Sequence, residues 1–339
     1  MPVKQEKLEE KVCETFEEQG FEVEKDGDKL KAFREGEEKV LTAYSSEKYS
    51  QEEVLNGKNE GIVFVDEGLS DLKEDIDVSI IYNEDEGEEY DLPSYELIGD
   101  IAVISELTVD EDEAVEGILE HHPSVKTILL KEGGLNGEFR VGDYEKLYGD
   151  ETETVHTEFG INLKVDPTKT YFSERFSTER DRVISQIDEG EKVLVMFAGV
   201  GPFAIMAAKK ALPEKVVAVE KNPEACKYLN ENIKLNNAGD KVKAFCGDVK
   251  DIEYKEEFDR IIMPLPGSAD QFLGLAIDLI SDNGVIHYYR FLEDQNWGKI
   301  ISEIEESIGD KEFEILDKVS TGDRGPSIER VCVDIEVRK

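Results

Sequence analysis

A turn between an apolar strand and a helix is the first feature that suggests chemistry. The stretch V-L-V-M-F-A-G-V-G-P-F (193–203) carries four apolar residues into a turn that holds Gly199 and Gly201. Glycine lets the backbone approach a ligand closely, and Pro202 suits the first turn of the helix that follows. The pattern predicts that a small molecule lies against this turn.

Two acidic residues end the next two predicted strands. Glu220 comes 19 residues after Gly201, where a carboxylate can accept hydrogen bonds from ribose hydroxyls, and Asp248 ends the third strand. Either acid alone could be a solvated loop residue, but with the glycine turn they indicate a nucleoside cofactor. The third glycine of the dinucleotide fingerprint is missing, because Ala204 stands there and Phe203 crowds the turn. A nucleoside without phosphates, such as S-adenosyl-L-methionine, therefore fits better.

Regular alternation from about residue 190 predicts the elements that position these residues. The expected strands are 192–197, 215–220, 242–248, 258–265, 284–291, 313–320 and 329–338. The expected helices are 202–212, 222–237, 268–280 and 297–308. This order predicts an α/β fold with a doubly wound, mostly parallel seven-stranded sheet. The last two strands have no helix between them and should form a terminal hairpin with one antiparallel strand.

Two small α+β domains are expected before this sheet. The first should contain a helix at 4–19, strands near 21–33, 38–43, 61–65 and 77–82, and a polar linker at 83–91. The second should contain a strand within 97–107, a helix at 109–120 capped by Asp110, a strand at 125–130 and a glycine-rich excursion at 131–148. We therefore predict domains at 1–90, 93–166 and 167–339.

The composition predicts a soluble, cytoplasmic protein, and we expect a monomer. Hydrophobic residues make up 39% of the chain, and no apolar run approaches the roughly 18–20 residues of a membrane span. The charged stretch from Met1 to Val12 does not resemble a signal peptide. None of the four cysteines forms a CxxC pair, so we expect them to be buried and reduced. The four histidines show no metal-ligand spacing, and we predict no metal site.

Charge is the most unusual property of the chain. Forty basic and eighty acidic residues give a formal net charge of −40, which usually argues against a nucleic-acid partner. Because the acidic residues are spread along the chain, they also fit a cytoplasm with molar salt, where the Debye length shrinks to roughly 3 Å. Residues 123–182 are spared, with nine basic and twelve acidic residues. That segment is either an ordinary domain or the part that faces an anionic partner.

Six stretches together resemble the archaeal tRNA (guanine-37-N1)-methyltransferase family. They are G-E-F-R (137–140), Y-F-S-E-R-F-S-T-E-R (171–180), M-F-A-G-V-G-P-F (196–203), N-I-K-L-N (232–236), I-I-M-P-L-P (261–266) and G-V-I-H-Y-Y (284–289). The resemblance runs from about residue 94 to the end. It implies a class I methyltransferase sheet that binds S-adenosyl-L-methionine, a middle domain that helps to seize the anticodon loop, and an N-terminal domain that contacts the tRNA body.

The resemblance also implies roles for single residues. Glu179, in S-T-E-R, matches the base that removes the N1 proton of guanine, and Arg140, in G-E-F-R, matches the residue that stabilises charge on guanine O6. The positions that match the cofactor or target site are Tyr171, Arg175, Phe197, Ala198, Gly199, Gly201, Phe203, Glu220, Asp248 and Pro264. From the residues alone, Glu179 is more simply a helix N-terminal acid paired with Arg180 or Arg182.

Three positions or segments depart from the family pattern. Val195 stands where the family commonly has an aspartate, and a valine cannot make the polar contact to the cofactor that an aspartate would make. Pro264 stands where an asparagine often precedes Leu-Pro, and the carbonyls of Met263 and Leu265 could instead face the target. The segment T-G-D-R-G-P-S-I-E-R (321–330) differs from the usual tyrosine-containing loop.

Three other functions compete with N1 methylation of guanine. A related enzyme of wybutosine biosynthesis would use the same cofactor to transfer an aminocarboxypropyl group or to methylate a guanine derivative. A non-catalytic RNA-binding protein would bind the cofactor or a nucleotide without turnover. A small-molecule methyltransferase fits less well, because it would leave residues 1–165 without a role.

A binding experiment tests whether residues 123–182 line the RNA site. Replacing Lys164, Lys169 and Arg175 by alanine should weaken tRNA binding in molar KCl, where shape, stacking and base-edge hydrogen bonds carry most of the affinity. The measurement is the equilibrium affinity of each variant for unmodified tRNA. Unchanged affinity in all three variants would contradict the prediction.

Overall fold

The computed structural model of the chain describes residues 92–325 and 328–339, except for 138 and 140. Nearer the N-terminus it describes five strands by their backbone, and at 134–136 and 323–325 it likewise describes the backbone alone. The chain divides into two compact units, Met1–Tyr90 and Asp91–Lys339. The predicted helix at 4–19 and the predicted linker at 83–91 lie outside the described residues.

The first unit contains one sheet whose strands pair in chain order. These are β1 (Glu22–Asp26), β2 (Lys29–Arg34), β3 (Glu37–Ser45), β4 (Gly61–Asp66) and β5 (Asp77–Ile81). Neighbouring strands are antiparallel, except that β3 and β4 run parallel. The strand expected at 21–33 is in fact the hairpin β1–β2, whereas those expected at 38–43, 61–65 and 77–82 are confirmed.

The second unit begins with a four-stranded sheet and one helix. The strands, in pairing order, are β6 (Tyr95–Ile98), β7 (Ile101–Ile104), β8 (Thr127–Asn136) and β9 (Val141–Tyr148), and helix α1 (Glu111–His121) joins β7 to β8. Asp110 caps α1 as predicted, because its carboxylate accepts a hydrogen bond from the backbone N–H of Asp112. Ala114 and Ile118 of α1 are fully buried and form one apolar cluster with β7 and β8.

The structure adds detail to two sequence predictions in this module. The strand expected within 97–107 is confirmed as β7, and it forms a hairpin with β6, because Gly99 adopts φ +59° and the chain reverses between the two strands. A side chain at Gly99 would also clash with the hydroxyl of Thr154. The segment 131–148, predicted as a glycine-rich excursion, forms the end of β8 and the whole of β9, which pair with each other.

The rest of the second unit contains a hairpin and the seven-stranded sheet. The hairpin comprises β10 (Thr154–Glu158) and β11 (Ile161–Val165). The sheet strands are β12 (Lys192–Met196), β13 (Lys215–Glu220), β14 (Val242–Cys246), β15 (Phe258–Met263), β16 (Ile280–Glu293), β17 (Glu312–Gly325) and β18 (Ile328–Arg338). The helices are α2 (Ser177–Ile184), α3 (Pro202–Lys210), α4 (Pro223–Leu235), α5 (Asp270–Leu279) and α6 (Trp297–Ile308). No helix in the described part of the chain is long and apolar enough to cross a bilayer.

The strands of the large sheet pair in the order β14-β13-β12-β15-β16-β18-β17. Pairing is parallel from β14 to β16, and β18 lies antiparallel between β16 and β17. The doubly wound, mostly parallel sheet with one antiparallel strand is thus confirmed. The strand order reverses between β12 and β15, and such a switch point leaves a crevice at the carboxyl ends of the strands.

Two asparagines at the end of α4 fasten the hairpin to the sheet domain. Asn232 accepts a hydrogen bond from the Lys164 N–H at 2.7 Å and donates to the carbonyls of Lys164 and Val200, both at 2.9 Å. Asn236 makes the equivalent two bonds with the backbone of Asn162, at 2.9 and 2.7 Å. The motif N-I-K-L-N therefore joins β11 and the glycine turn to one helix.

The prediction that all the cysteines are reduced is wrong for one pair. Cys226 of α4 and Cys246 of β14 form a disulfide, with Cα atoms 5.7 Å apart, whereas Cys332 is free and buried. The two partners are 20 residues apart in sequence, and the crossover from β13 through α4 to β14 brings them together.

Asn232 should therefore stabilise the fold far more than a neighbouring surface asparagine. Asn232→Ala leaves three backbone groups without their partner, which should lower the free energy of unfolding by about 2–4 kcal/mol. Asn230→Ala, at an exposed site on the same helix, is the matched control and should cost under about 0.5 kcal/mol. The measurement is chemical denaturation, and equal losses in the two variants would contradict this account.

Candidate active site

The carboxyl ends of the parallel strands surround a cavity of about 490 Å³. Six of the predicted site residues line it: Tyr171, Phe197, Gly199, Glu220, Asp248 and Pro264. Ala198, Gly201 and Phe203 belong to the same turn but are not among the lining residues. Arg140 lies outside the described residues, although Gly137 and Phe139 of its G-E-F-R motif do line the cavity.

The two glycines of the turn have different tasks. Gly199 adopts φ +58°, and its N–H donates a hydrogen bond of 2.7 Å to the Glu220 carboxylate. Gly201 adopts φ +98°, and a Cβ there would approach the Leu229 side chain of α4 to 2.6 Å. Gly201 therefore allows close packing of α3 against α4, while Gly199 shapes the cavity itself.

Among the described residues, the donors to the buried Glu220 carboxylate all belong to the backbone. Its two oxygens accept hydrogen bonds from the N–H groups of Gly199 and Asn222, each at 2.7 Å. Burial raises the pKa of Glu220, and these backbone bonds offset that effect in part. The Lys221 N–H is a third backbone donor, so of about four lone-pair sites on the carboxylate one remains for a ligand hydroxyl, as the sequence predicts for a ribose.

Asp248 and an aromatic pair form another part of the cavity wall. Asp248 accepts a hydrogen bond from the backbone of Lys250 and pairs with Lys221 at 2.9 Å, and these two contacts lower its pKa. Phe197 meets Phe272 edge to face, with ring centroids 4.8 Å apart. Aromatic edges beside a hydrogen-bonding carboxylate suit a flat, polar ring such as a purine.

Glu179 lies in α2 with 7% of its surface exposed, outside the cavity lining. Arg182 donates from Nε to Oε2 at 2.7 Å and from Nη2 to Oε1 at 2.8 Å. The Tyr289 hydroxyl also donates to Oε1, at 2.6 Å. Of the two pairings that the sequence left open, the structure has the one with Arg182, because Arg180 pairs with Glu158 instead.

Comparison with known proteins identifies the family. The model of the TRM5/TYW2 methyltransferase domain matches residues 154–316, and that of the TYW2 N-terminal domain matches residues 81–152. The tRNA (guanine(37)-N(1))-methyltransferase Trm5b of Pyrococcus abyssi is 44% identical over 252 residues, which cover 72% of this chain and 74% of that protein. The chain belongs to the TRM5/TYW2 methyltransferase family.

Two further similarities show how far family resemblance extends along the chain. The tRNA(Phe) (4-demethylwyosine(37)-C(7)) aminocarboxypropyltransferase of Methanocaldococcus jannaschii is 40% identical over 58% of this chain and 77% of that protein. The crystal structure of wild-type Trm5b from P. abyssi has a TM-score of 0.69 at 32% identity and covers 97% of this chain and 96% of that one. The TRM5/TYW2 family therefore includes relatives named for different transferred groups.

Two departures from the TRM5/TYW2 pattern have structural explanations. Val195 is wholly buried in β12, in register with β13 and β15, so apolar packing occupies that position. The Met263 carbonyl accepts a hydrogen bond from the Leu265 N–H at 2.8 Å, and the Leu265 carbonyl accepts one from Ala269 at 3.0 Å. Both carbonyls thus bond to the backbone, and the expectation that they face the target stays a prediction.

Besides Lys221 and Asn222 just after β13, the sequence predictions missed two further polar residues of the lining, Ser268 and Gln271. Both follow the end of β15 closely, at the same sheet edge as Pro264. Their position shortly after the end of a parallel strand could have predicted them as lining residues, because ligands bind at that edge of the sheet. They offer a hydroxyl and an amide where the family asparagine is absent.

The basic residues of segment 123–182 differ in whether their charges are already paired with carboxylates. Lys164 bridges two glutamates at 2.7 and 3.1 Å, and Lys169 pairs with Asp166 at 2.7 Å. The side chain of Arg175 is 57% exposed and lies 4.0 Å from the Glu96 carboxylate. A wider depression of about 750 Å³ lies away from the strand ends, between β6 and β10, and includes Lys164 and His156.

Glu220 should contribute to cofactor binding at the expense of stability. Because burial raises its pKa, the ionised form destabilises the fold at neutral pH, and Glu220→Gln removes that cost. We expect an unchanged or higher melting temperature and about 10- to 100-fold weaker binding of S-adenosyl-L-methionine by calorimetry. Glu214→Gln, an exposed site beside the amino end of β13, is the control. A large fall in melting temperature for Glu220→Gln would instead make Glu220 a structural residue.

Proposed function

We propose that the protein transfers a methyl group from S-adenosyl-L-methionine to N1 of guanosine 37 in tRNA, next to the anticodon. Extent of similarity carries the choice. Among solved structures, Trm5b of P. abyssi covers 97% of this chain and TYW2 of M. jannaschii covers 73%. In sequence, the Trm5b relative covers 72% of this chain and the aminocarboxypropyltransferase 58%. The curated Trm5b relative is also the more nearly identical of the two.

The cavity residues suit S-adenosyl-L-methionine. Glu220 would accept hydrogen bonds from the ribose hydroxyls, and Gly199 would let the cofactor approach the turn closely. Phe197 and Asp248 would contact the purine. Two carboxylates in the lining favour a cofactor with a positive charge and disfavour one with phosphates. When bound, the cofactor supplies an electrophilic methyl group on its sulfonium.

Glu179 is the proposed general base. N1 of guanine carries a proton that must leave as the new nitrogen–carbon bond forms, and a carboxylate within hydrogen-bond reach can accept it. Arg140 would stabilise the charge that develops on O6. Tyr171, which is 36% exposed and lines the cavity, and Arg175 would contact the target nucleotide or the cofactor.

The domain predictions give each part of the chain a role toward tRNA. Residues 1–90 would contact the tRNA body, residues 93–166 the anticodon loop, and residues 167–339 the cofactor. Because the chain carries a net charge of −40, its binding to tRNA would depend on shape, stacking and base-edge contacts more than on attraction to phosphates. We place this activity in the cytoplasm and expect a monomer.

Aminocarboxypropyl transfer is the second candidate. The match of residues 81–152 to the TYW2 N-terminal domain and the 40% identity to an aminocarboxypropyltransferase favour it. Both reactions use the same cofactor but break different bonds at its sulfur, so the product on tRNA separates them. A non-catalytic RNA-binding protein is disfavoured by membership of a methyltransferase family.

Nucleoside analysis of the product tests the proposal. Protein, cofactor and unmodified tRNA with guanosine at position 37 should yield 1-methylguanosine in molar KCl, and tRNA with adenosine at that position should yield none. Glu179→Gln should lower the rate by about 10²- to 10⁴-fold. The control is Glu303→Gln. Glu303 lies in α6, and its carboxylate pairs with Arg290 on the other face of β16 much as Glu179 pairs with Arg182. A wild-type protein that forms no 1-methylguanosine would refute the proposal.

A further inference from the structure

Glu179 is one end of a buried hydrogen-bond network. Arg182 bridges Glu179 and Asp334, with its Nη1 2.6 Å from Asp334 Oδ2. Asp334 Oδ1 lies 2.7 Å from Nδ1 of His287, and Arg260 lies 2.9 Å from the other nitrogen of that ring. The network thereby joins α2 to β15, β16 and β18.

The hydrogen bonds to Glu179 leave one acceptor position open. A carboxylate has about four lone-pair sites. Oε1 accepts from the Tyr289 hydroxyl and from Arg182 Nη2, whereas Oε2 accepts from Arg182 Nε alone. Within the described part of the chain, the remaining site on Oε2 has no donor.

The charges of the network do not cancel. Arginine can only donate, so Nε2 of His287 accepts from Arg260 and the ring is neutral, with its proton on Nδ1 facing Asp334. Burial lowers the pKa of His287, in agreement. Arg260 also pairs with Glu191. The network thus holds two guanidiniums, of Arg182 and Arg260. It holds three carboxylates, of Glu179, Asp334 and Glu191, so one negative charge is unbalanced.

We propose that Tyr289, Arg182 and Asp334 position Glu179 to accept the N1 proton of guanine on its open Oε2 site. This inference rests on the proposed function. The N1 proton goes to Oε2 while N1 bonds to the methyl carbon and the carbon–sulfur electron pair returns to sulfur. The arriving proton cancels the unbalanced charge, so the buried network is neutral after transfer. All three act through Glu179 and are positioning residues.

Other titratable groups face Glu179 from the strands packed against α2. Tyr289 of β16 and Cys332 of β18 act on Glu179 directly, whereas Asp334 of β18 and His287 of β16 are connected to it through Arg182. Burial raises the pKa of Tyr289 and of Cys332, so both stay protonated. The charged neighbours of Glu179 in this network are thus Arg182 and, beyond it, Asp334.

Tyr289 and Asp334 should therefore act on Glu179 in opposite directions. The Tyr289 hydroxyl donates to the ionised carboxylate and favours it, so its removal should make Glu179 harder to ionise. Asp334 shares the positive charge of Arg182 with Glu179. Without the charge of Asp334, Arg182 would act on Glu179 alone and make it easier to ionise.

A metal site is the competing explanation for part of this network. Ligand atoms of His287, Cys332 and Asp334 lie within 4.8 Å of one another. However, Arg182 and Arg260 already contact Asp334 and His287. A cation at this point would meet two positive charges at short range, so the contacts favour the hydrogen-bond network.

The chain provides a matched control on the other face of β16. Tyr288 donates to Glu303 Oε2 at 3.2 Å, and Arg290 binds both oxygens of the same carboxylate at 2.9 and 3.0 Å. Neighbouring residues of a strand point to opposite faces. This second Tyr–Glu–Arg triad thus has the same composition and a similar arrangement, on the face away from Glu179.

The test is the pH dependence of single-turnover methyl transfer to tRNA with guanosine 37, from about pH 5 to about pH 9. Tyr289→Phe should shift the acidic limb of the rate profile upward by about one pH unit. Asp334→Asn should shift the limb downward and lower the plateau rate, because the base becomes weaker. Tyr288→Phe should leave the profile unchanged, and the KM values for tRNA and cofactor should stay within about twofold in all three variants.

The outcomes separate this inference from the proposed function. If the wild type makes 1-methylguanosine but the limb of Tyr289→Phe does not move, the positioning role is wrong while the function stands. Shifts of Tyr289→Phe and Asp334→Asn in the same direction would also overturn it. If Asp334→Asn does not fold, the nearly isosteric Tyr289→Phe decides the question alone. A wild type without 1-methylguanosine rejects the proposed function instead.

Discussion

The guanidinium of Arg182 lies between two buried carboxylates, Glu179 and Asp334, and the candidate base depends on this contact. Burying an ion costs several kcal/mol unless partners replace its water. Here each partner is itself paired, and within the described part of the chain every buried side-chain nitrogen and oxygen has a hydrogen-bond partner. Arg182 and His287 hold the pKa of Asp334 far below its ordinary value despite burial. A carboxylate anchored in this way can orient Arg182, and through it Glu179.

Glu220 shows the opposite solution to the same constraint. It is buried at the end of β13 with backbone donors and no cation at hydrogen-bond distance among the described residues, and burial raises its pKa. Such a carboxylate is unfavourable in the protein alone and gains from a ligand with hydroxyl donors or positive charge. The two carboxylates thus have different roles. Glu220 is prepared for a cofactor, whereas Glu179 is already satisfied except at one lone pair.

Local pattern was enough to predict most of the fold. Apolar runs and helix caps predicted the seven strands of the large sheet and the four helices between them. Buried parallel strands are near-continuous apolar runs, which can be recognised in any sequence. The glycine turn and the acids at strand ends predicted the cavity, because strand order places those ends together. The reversal at Gly99 was missed, since it depends on a positive φ within an apolar run.

What the sequence could not give depends on contacts between distant segments. Tyr289 and Asp334 meet Glu179 and Arg182 only after β16 and β18 have entered the sheet. Nothing near S-T-E-R shows which arginine pairs with the glutamate. The backbone bonds made by the Met263 and Leu265 carbonyls likewise arise from the local path of the loop, which residue types alone do not specify.

The measurement that most directly tests the central claim uses S-adenosyl-L-methionine with two different radiolabels. One label is in the methyl group and the other in the carboxyl group, and the acceptor is unmodified tRNA with guanosine 37. We expect the methyl label alone to enter the tRNA and to be recovered as 1-methylguanosine. Incorporation of the carboxyl label would show aminocarboxypropyl transfer and contradict it.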